Sequence, residues 1–449
     1  MNIRTTLGSV TFLLLMSATI PAGAADKQAK ERGVYDAVEL TDKDYHLIET
    51  SEEMHDQFQR RGARHNDREL EAWLQKIGNR LAPESTDFYQ KYRFYLIRDP
   101  SPNAFALPDG QIYVHTGLIC RLENEAQLAT LLAHEINHVA GHHGILAYRS
   151  QKKKAAAGVF FSLAGAVAGG VGELAGALIN VGLVSSVFGY SRDLEEEADI
   201  KGYELMLKAG YDVREMPMLF EILGEDFEGL NPRSGGKWTT HPDLILRGEY
   251  TSDLAAGTAE EQLAELSLGG DNFRSRVRPL ALETVRDYIL DDYPKTALEL
   301  SQDLVEEDPE YAAGWVAAGH SYISLGARSE FSADVPMTNK EKKKQVKIRS
   351  KLTRDELRTK AEQSPEAKTN IEYNLAAAEN AYRTALELDE NAVEAHAGLG
   401  EIYLRQERYR DSARELMTYL KLRPDAPDRS IVMDDLRDIS QKLIAEAGE

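Results

Sequence analysis

The spacing of hydrophobic and polar residues divides the chain into a mixed first part and a helical second part. Residues 36–82 place apolar side chains at helical spacing, as in "RELEAWLQKIGNRLA", which predicts packed amphipathic helices. The segments "FYLIRD" (94–99) and "IYVHTGLI" (112–119) are typical of strands, and the turn signal "PDG" precedes the second. After about residue 270 the pattern is helical to the end. The fold class predicted is a mostly helical α+β domain with a small sheet, followed by an all-α domain.

The segment "NEAQLATLLAHEINHVAGHHG" is predicted to form a helix. Asn124 is a favourable N-cap residue, and Gln127 stands at the capping-box position. An apolar stripe follows at helical spacing, and Gly141 or Gly144 can end the helix. The two histidines of this segment therefore lie on a helix.

Those two histidines indicate metal chemistry. His134 and His138 are four apart, so they share one face of the helix, whereas Glu135 projects about 100° around it. A catalytic zinc keeps three protein ligands and a water, and a neighbouring carboxylate accepts the proton of that water. The pattern His-Glu-x-x-His supplies two ligands and the base, but so short a motif also occurs by chance. A third ligand is needed.

The run "EEEAD" offers one. Glu195 and Asp199 are four apart and share a helix face. Glu195 can then bind the metal while Asp199 accepts a hydrogen bond from a ligand histidine. Glu196 and Glu197 have no such carboxylate four residues later, so they are not assigned to the site. The alternative is a solvated acidic face, the ordinary meaning of such a run.

Four motifs in order resemble the zinc metallopeptidase family M48 over about residues 95–250. They are "NAFALPDGQIYVHTGLI", "HEINHVAGHH", "SRDLEEEAD" and "THPDLILR". The resemblance implies a gluzincin-type fold with one zinc ion per chain. The zinc ligands it implies are His134, His138 and Glu195.

Further roles follow from the same resemblance. It implies Glu135 as the base, with Asp199 and Arg247 beside the ligands. It implies His241 as a nearby group that caps the metal or steadies the transition state. It also implies an edge strand that pairs with an extended substrate. The residues of that strand are Ile112, Tyr113, Val114 and His115.

Two further histidines follow the motif. His142 is one helical turn after His138 and could in principle reach the metal, whereas His143 is expected to point elsewhere. Both are predicted to cap or solvate the helix end, where cations are favoured.

The second part has an internal repeat. One triplet, Trp315, Gly319 and Tyr322, has the same spacing as a second triplet, His396, Gly400 and Tyr403. Together with the prolines at 309 and 424, this predicts three tetratricopeptide repeats at 278–311, 312–392 and 393–426. An insertion at 328–370 splits the middle repeat. Unrelated helical hairpins are the alternative.

Charge, the N-terminal segment and the single cysteine limit the possible partners and compartment. The net charge of -21 argues against nucleic acid as a partner. Residues 1–24 have the pattern of a secretory signal peptide, with an uncleaved anchor as the alternative. The basic insertion is either a solvated arm or a segment that docks on an acidic membrane or protein surface. The single cysteine, Cys120, follows an apolar run and is predicted to be buried and inert.

The apolar stretch 155–188 leaves three alternatives open. It is long enough to span a bilayer, but glycines and Glu173 divide it. A helical hairpin that touches the membrane surface is favoured over a transmembrane hairpin or a buried one.

These patterns predict a metallopeptidase domain at 25–268 and a repeat domain at 271–449. The resemblance is greatest to the periplasmic branch of the family. It implies an exported zinc endopeptidase that acts on outer-membrane proteins and their assembly machinery. Alternatives are a repeat-based chaperone or scaffold, and an integral membrane metalloprotease.

Overall fold

The computed structural model describes residues 38–82, 91–151, 190–225, 243–328 and 365–448. Several predictions from the sequence fall outside these residues: the signal peptide, the apolar stretch 155–188, His241 and most of the basic insertion. Within the described residues, no helix has the length and apolar character needed to cross a membrane.

The first part begins with two helices that pack against a sheet. Helix α1 spans Asp42–Arg60 and starts with a capping box between Thr41 and Asp44. Helix α2 spans Arg68–Leu81, and the side chain of Asp67 caps it by accepting hydrogen bonds from two backbone N–H groups. On α2, a β-carbon at Gly78 would lie 2.1 Å from the ring of Phe94. Only glycine therefore allows this close approach of α2 to the first strand.

Three strands form the sheet in the order β1-β3-β2. Strand β1 (Arg93–Ile97) pairs in parallel with β3 (Gln111–His115), and β2 (Ala104–Ala106) pairs antiparallel with the other side of β3. The predicted edge strand is therefore wrong, because Ile112, Tyr113, Val114 and His115 form the central strand. Both of its backbone edges are paired, and all its residues are buried.

Helices complete the first part. They are α3 (Thr116–Ile119), α4 (Glu125–Ala140), α5 (His143–Gln151), α6 (Arg192–Ala209), α7 (Glu215–Glu225), α8 (Leu244–Ala256) and α9 (Glu260–Leu263). Helix α4 lies at the centre, and its side chains from Ala126 to Val139 are all buried. It packs against β2, α2, α6 and α7.

The second part is a succession of helices, each packed against its neighbours in the chain. They are α10 (Phe273–Leu290), α11 (Pro294–Glu307), α12 (Ala312–Arg328), α13 (Pro365–Leu388), α14 (Val393–Arg405), α15 (Tyr409–Leu422) and α16 (Arg429–Gly448). The mostly helical architecture with a small sheet confirms the predicted fold class.

The two parts share one hydrophobic core. Side chains of α10, including Phe273 and Val285, belong to the same buried cluster as Trp73 and Leu118. The rings of Phe273 and Trp73 lie 5.5 Å apart. Arg98 donates two hydrogen bonds, of 2.7 and 2.9 Å, to Asp287 of α10. The first helix of the second part is therefore built into the first part.

Cys120 lies at this junction. Its thiol is buried, and its sulfur lies 3.4 Å from the hydroxyl of Thr284 on α10. Burial raises the pKa of the thiol to about 12. A protonated, enclosed thiol is a poor nucleophile, as the sequence predicted.

Candidate metal centre

Helices α4 and α6 bring the candidate ligands together. Asn124 caps α4 by accepting the amide of Gln127, so the helix begins as predicted and carries the motif on its last two turns. Helix α6 packs along α4, with Glu195 in its first turn facing the two histidines. In the described residues, His134, His138 and Glu195 form a buried group whose ligand atoms all lie within 4.8 Å.

The distances fit a zinc ion. The Nε2 atoms of His134 and His138 are 2.9 Å apart, and they lie 3.5 and 3.4 Å from the two oxygens of Glu195. Zinc bonds of about 2.0–2.2 Å in tetrahedral geometry place neighbouring donor atoms about 3.3 Å apart. Two imidazoles and one carboxylate leave a fourth position, as in catalytic zinc sites.

The electrostatics also suit a metal. Burial, together with the neighbouring His134, holds the pKa of His138 well below its usual range. His138 is therefore neutral, which is the form that binds a metal. Its ring stacks on Tyr190, with centroids 3.8 Å apart and 13° between the planes.

The structure places Asp199 and Arg247 next to the candidate ligands. Nδ1 of His134 is 2.7 Å from Oδ1 of Asp199, so its Nε2 remains available to a metal. Arg247 donates two hydrogen bonds of 2.7 Å to Asp199 and lies 2.9 Å from Glu195. All these side chains are at most 3 % exposed.

A buried cluster of this kind needs its charges balanced. Burial raises the pKa of Asp199, but Arg247 and His134 outweigh it and lower the pKa below its usual range. The hydroxyl of Tyr250 also donates to Asp199. Arg247 is held in turn over the ring of Phe220, with its guanidinium carbon 4.4 Å from the ring centroid. Asp199 is thus a permanent anion behind His134.

Glu135 follows the first histidine and is fully buried. Its charge, together with that of Glu195, adds to burial in raising the pKa of Tyr190 well above the usual range. The carboxylate therefore lies near the ring that stacks on His138. This is the side of the helix expected for a group beside the metal rather than bound to it.

His143 is where the sequence interpretation was wrong. It was expected to cap or solvate the helix end, but it is 0 % exposed and its Nδ1 lies 2.8 Å from Nδ1 of His138. Its Nε2 lies 3.5 Å from Oε2 of Glu197, a residue that was not assigned to the site. The error came from counting His143 along a continuous helix, whereas the helix ends at Ala140 and His142 has a left-handed backbone.

Tyr190 and Tyr250 were also missed. Tyr190 directly precedes "SRDLEEEAD", and Tyr250 lies three residues after Arg247. A helical spacing from Arg247 was a usable signal for Tyr250, because residues three apart lie on the same side of a helix. No sequence signal connects Tyr190 with His138.

The predicted substrate strand has a structural role in the residues described. The Tyr113 hydroxyl contacts Nδ1 of His55 at 2.8 Å and donates to Gln111 at 3.0 Å. His115 is buried, with Nδ1 3.0 Å from the hydroxyl of Ser101. These contacts join strand β3 to helix α1 and to the segment that precedes β2.

Comparison with known proteins agrees with this geometry. Residues 68–253 match the family described as Peptidase family M48. The chain is 27% identical over 254 residues to the beta-barrel assembly-enhancing protease of Escherichia coli, covering 54% of this chain and 48% of that protein. It is 30% identical over 162 residues to the protein of the same name from Yersinia pestis, covering 35% of this chain and 33% of that protein.

A mitochondrial protein is also similar to this chain. The chain is 34% identical over 157 residues to the mitochondrial metalloendopeptidase OMA1 of Schizosaccharomyces pombe, covering 35% of this chain and 44% of that protein. The chain spans less than half the length of these three relatives.

A His-Glu-x-x-His helix, completed by a carboxylate from a second helix, defines a metallopeptidase domain. Residues 68–253, which include this site, are the part of the chain that matches peptidase family M48. Metallopeptidases of this family are zinc-dependent, and the buried His134, His138 and Glu195 can hold the ion. The metalloendopeptidase class predicted from the sequence is confirmed for this domain.

Proposed function

We propose that the chain is an exported zinc endopeptidase that acts in the quality control of outer-membrane proteins. The observation that carries the catalytic part is the buried group of His134, His138 and Glu195, whose spacing fits a tetrahedral zinc ion. Similarity to relatives named beta-barrel assembly-enhancing protease supports the cellular part.

The proposed reaction is hydrolysis of a peptide bond. His134, His138 and Glu195 would hold a zinc ion, which would acidify a bound water and polarise the substrate carbonyl. Glu135, buried beside the ligands, accepts the proton of the attacking water and later passes it to the departing amine. His134 and His138 hold their positions because Asp199 and Tyr190 fix the two rings.

Arg247 and His241 complete the proposed site. Arg247 lies against both carboxylates, so it pairs with Glu195 and helps to hold the pKa of the buried Asp199 below its usual range. His241 precedes helix α8, which carries Arg247, and we assign to it the capping or transition-state role that the sequence resemblance implies.

The helices after residue 271 are proposed to be tetratricopeptide repeats that recruit protein clients. A β-carbon at Gly319 would lie 2.4 Å from the ring of Tyr382, and one at Gly400 would lie 2.5 Å from Leu416. These glycines occupy the same position in the two predicted repeats. The Gly319 contact spans the insertion, which supports a single middle repeat split in two.

A groove on these helices favours a second candidate function, that of an assembly scaffold. Its volume is about 1040 Å³, and its lining includes apolar residues of α10, α12 and α14 and the acids Glu394, Glu401 and Asp435. Repeat arrays hold partner segments on such surfaces. A scaffold would need the groove but not the metal.

The test is Glu135→Gln in the full-length chain. The amide cannot accept the proton of water, so hydrolysis of an unfolded client should fall by about 10²–10⁴-fold while the zinc content stays the same. Hydrolysis at the wild-type rate would refute the mechanism. In a deletion strain, full rescue by this variant would favour the scaffold, and partial rescue would indicate two separable roles.

A further inference from the structure

The two candidate ligand histidines contact different groups through their Nδ1 atoms. We propose that His143 and Glu197 form a relay that orients the ligand His138, as Asp199 orients His134. The proposal rests on the metal site described above, and it assigns a positioning role to two residues that lie outside that site.

The reference case is His134. Its Nδ1 faces Oδ1 of Asp199 at 2.7 Å, and its Nε2 faces the other two ligands. A ligand histidine almost always donates its second N–H to such a partner, which sets the tautomer and the ring orientation.

His143 takes that place at His138. Helix α4 ends at Ala140, and His142 has a left-handed backbone with φ of 53°, which turns the chain back on itself. Helix α5 then begins at His143. The imidazole ring of His143 packs against the last turn of α4. The two Nδ1 atoms lie 2.8 Å apart, and the ring of His143 is fully buried.

This geometry permits one arrangement of protons when the site holds a metal. Nε2 of His138 faces the other ligands, so its proton lies on Nδ1. That N–H can donate to Nδ1 of His143 only if His143 carries its own proton on Nε2. Nε2 of His143 then carries the proton, and Oε2 of Glu197 lies 3.5 Å away, which is an electrostatic contact rather than a hydrogen bond.

Glu197 is placed for the outer end of the relay. Its Oε2 faces His143, and its Oε1 accepts a hydrogen bond of 2.7 Å from Lys201 on the next turn of α6. The carboxylate is 37 % exposed and forms an ion pair with Lys201, unlike the fully buried Asp199. Its effect on His138 should therefore be weaker than that of Asp199 on His134.

The relay and Tyr190 restrain different motions of the same ring. Stacking on Tyr190 limits tilting of the His138 plane, whereas the hydrogen bond to His143 limits its rotation within that plane. Both restraints aim Nε2 at the metal position. Loss of the relay should weaken zinc binding without removing a ligand.

The experiment measures zinc affinity by chelator competition in the full-length protein. His143→Ala removes the acceptor and should weaken binding by about 10–100-fold, as for other groups that orient metal ligands. His143→Asn places an amide oxygen near the Nδ1 position, so it should restore most of the affinity. Glu197→Gln should weaken binding more than its neighbour control Glu196→Gln.

A second measurement separates orientation from general damage. In the Co²⁺-substituted protein, the visible absorption bands should shift for His143→Ala and stay the same for Glu196→Gln. Wild-type zinc affinity in His143→Ala would overturn the proposal, and so would a His143→Asn variant as weak as the alanine variant. If His143→Ala does not fold, equal affinities for Glu197→Gln and Glu196→Gln would overturn it.

Failure of the metal site itself is distinguishable. Wild-type protein that binds no zinc would refute the proposed function together with the relay. Wild-type protein that binds zinc and cleaves a client, with all four variants equal to it in affinity, would refute the relay alone.

Discussion

The two parts of the chain bury different kinds of polar groups. Around α4 and α6 the buried polar side chains include ionisable ones, each at most 3 % exposed: His134, Glu135, His138, His143, Glu195, Asp199 and Arg247. In the described residues after 271 the buried polar side chains are hydroxyls and amides: Thr284, Thr296, Ser301, Ser321, Asn374 and Ser412.

The difference has a physical reason. A buried charge costs several kcal/mol unless it is paired and hydrogen-bonded, so a fold retains a cluster of them only where each has a partner. The helices of the second part pack through small and aromatic residues, and most serine and threonine hydroxyls among those buried there return to backbone carbonyls of their own helix. The described buried charges are therefore concentrated in the first part, whereas the second part is held together by apolar packing and neutral polar groups.

The largest expected effect is at the charged cluster. Glu195→Ala removes one of three ligands, so zinc affinity should fall by more than the about 10–100-fold seen for groups behind a ligand. Glu196→Ala, one residue along the same helix, should leave it unchanged. Elemental analysis and chelator competition measure both. Equal zinc content in the two variants would contradict the ligand assignment.

The next effect tests whether the two parts are separable. Phe273 belongs to the second part but is buried against Trp73. Phe273→Ala should lower the free energy of unfolding by about 3–5 kcal/mol, as for other large core side chains. Because the core is shared, calorimetry should still show a single transition in which the first part unfolds together with α10. Ile444→Ala, on an exposed side chain of α16, is the control. Independent unfolding of the two parts would contradict the shared core.

A smaller effect is confined to the second part. Gly319→Ala would bring a β-carbon to 2.4 Å from the ring of Tyr382, which is fully buried and cannot move freely. Overpacking of this kind costs about 1–3 kcal/mol. Zinc affinity of the folded protein should not change. Gly224→Ala, where the β-carbon meets nothing within 4 Å, should be neutral or slightly stabilising. Weaker zinc binding in Gly319→Ala would contradict the expectation that the effect is confined to the second part.

The smallest effect concerns a charge of the first part that lies away from the metal. Burial raises the pKa of Asp44, but hydrogen bonds from Arg149 and Thr41 outweigh it and lower the pKa to about 2. Its charge therefore stabilises the fold above about pH 4, and that stability is lost as the pH falls towards 2.

At neutral pH, Asp44→Asn should cost roughly 1 kcal/mol, because Arg149 is partly exposed. Denaturant unfolding at several pH values measures this. The difference between variant and wild type should shrink below pH 4; a constant difference would mean that shape, rather than charge, matters at this position.

Much of the site was predictable from local spacing. The i, i+4 pairs His134/His138 and Glu195/Asp199 follow from the helical repeat, and the N-cap of Asn124 follows from its side chain. The spacing of Gly319 and Gly400 likewise predicted two equivalent helices, and both glycines do admit a close neighbour. The helical pairs, the N-cap and the spacing within each triplet depend on residues only a few positions apart.

The tertiary structure decided the rest. Whether Ile112 to His115 form an edge or a central strand depends on where β1 and β2 pair, which alternation along one strand cannot reveal. His143 reached His138 because a left-handed residue turned the chain after α4, and Glu197 and Tyr190 met them from a distant segment. Helical periodicity by itself determined which side chains share a face, but only the packing of separate segments determined what that face meets.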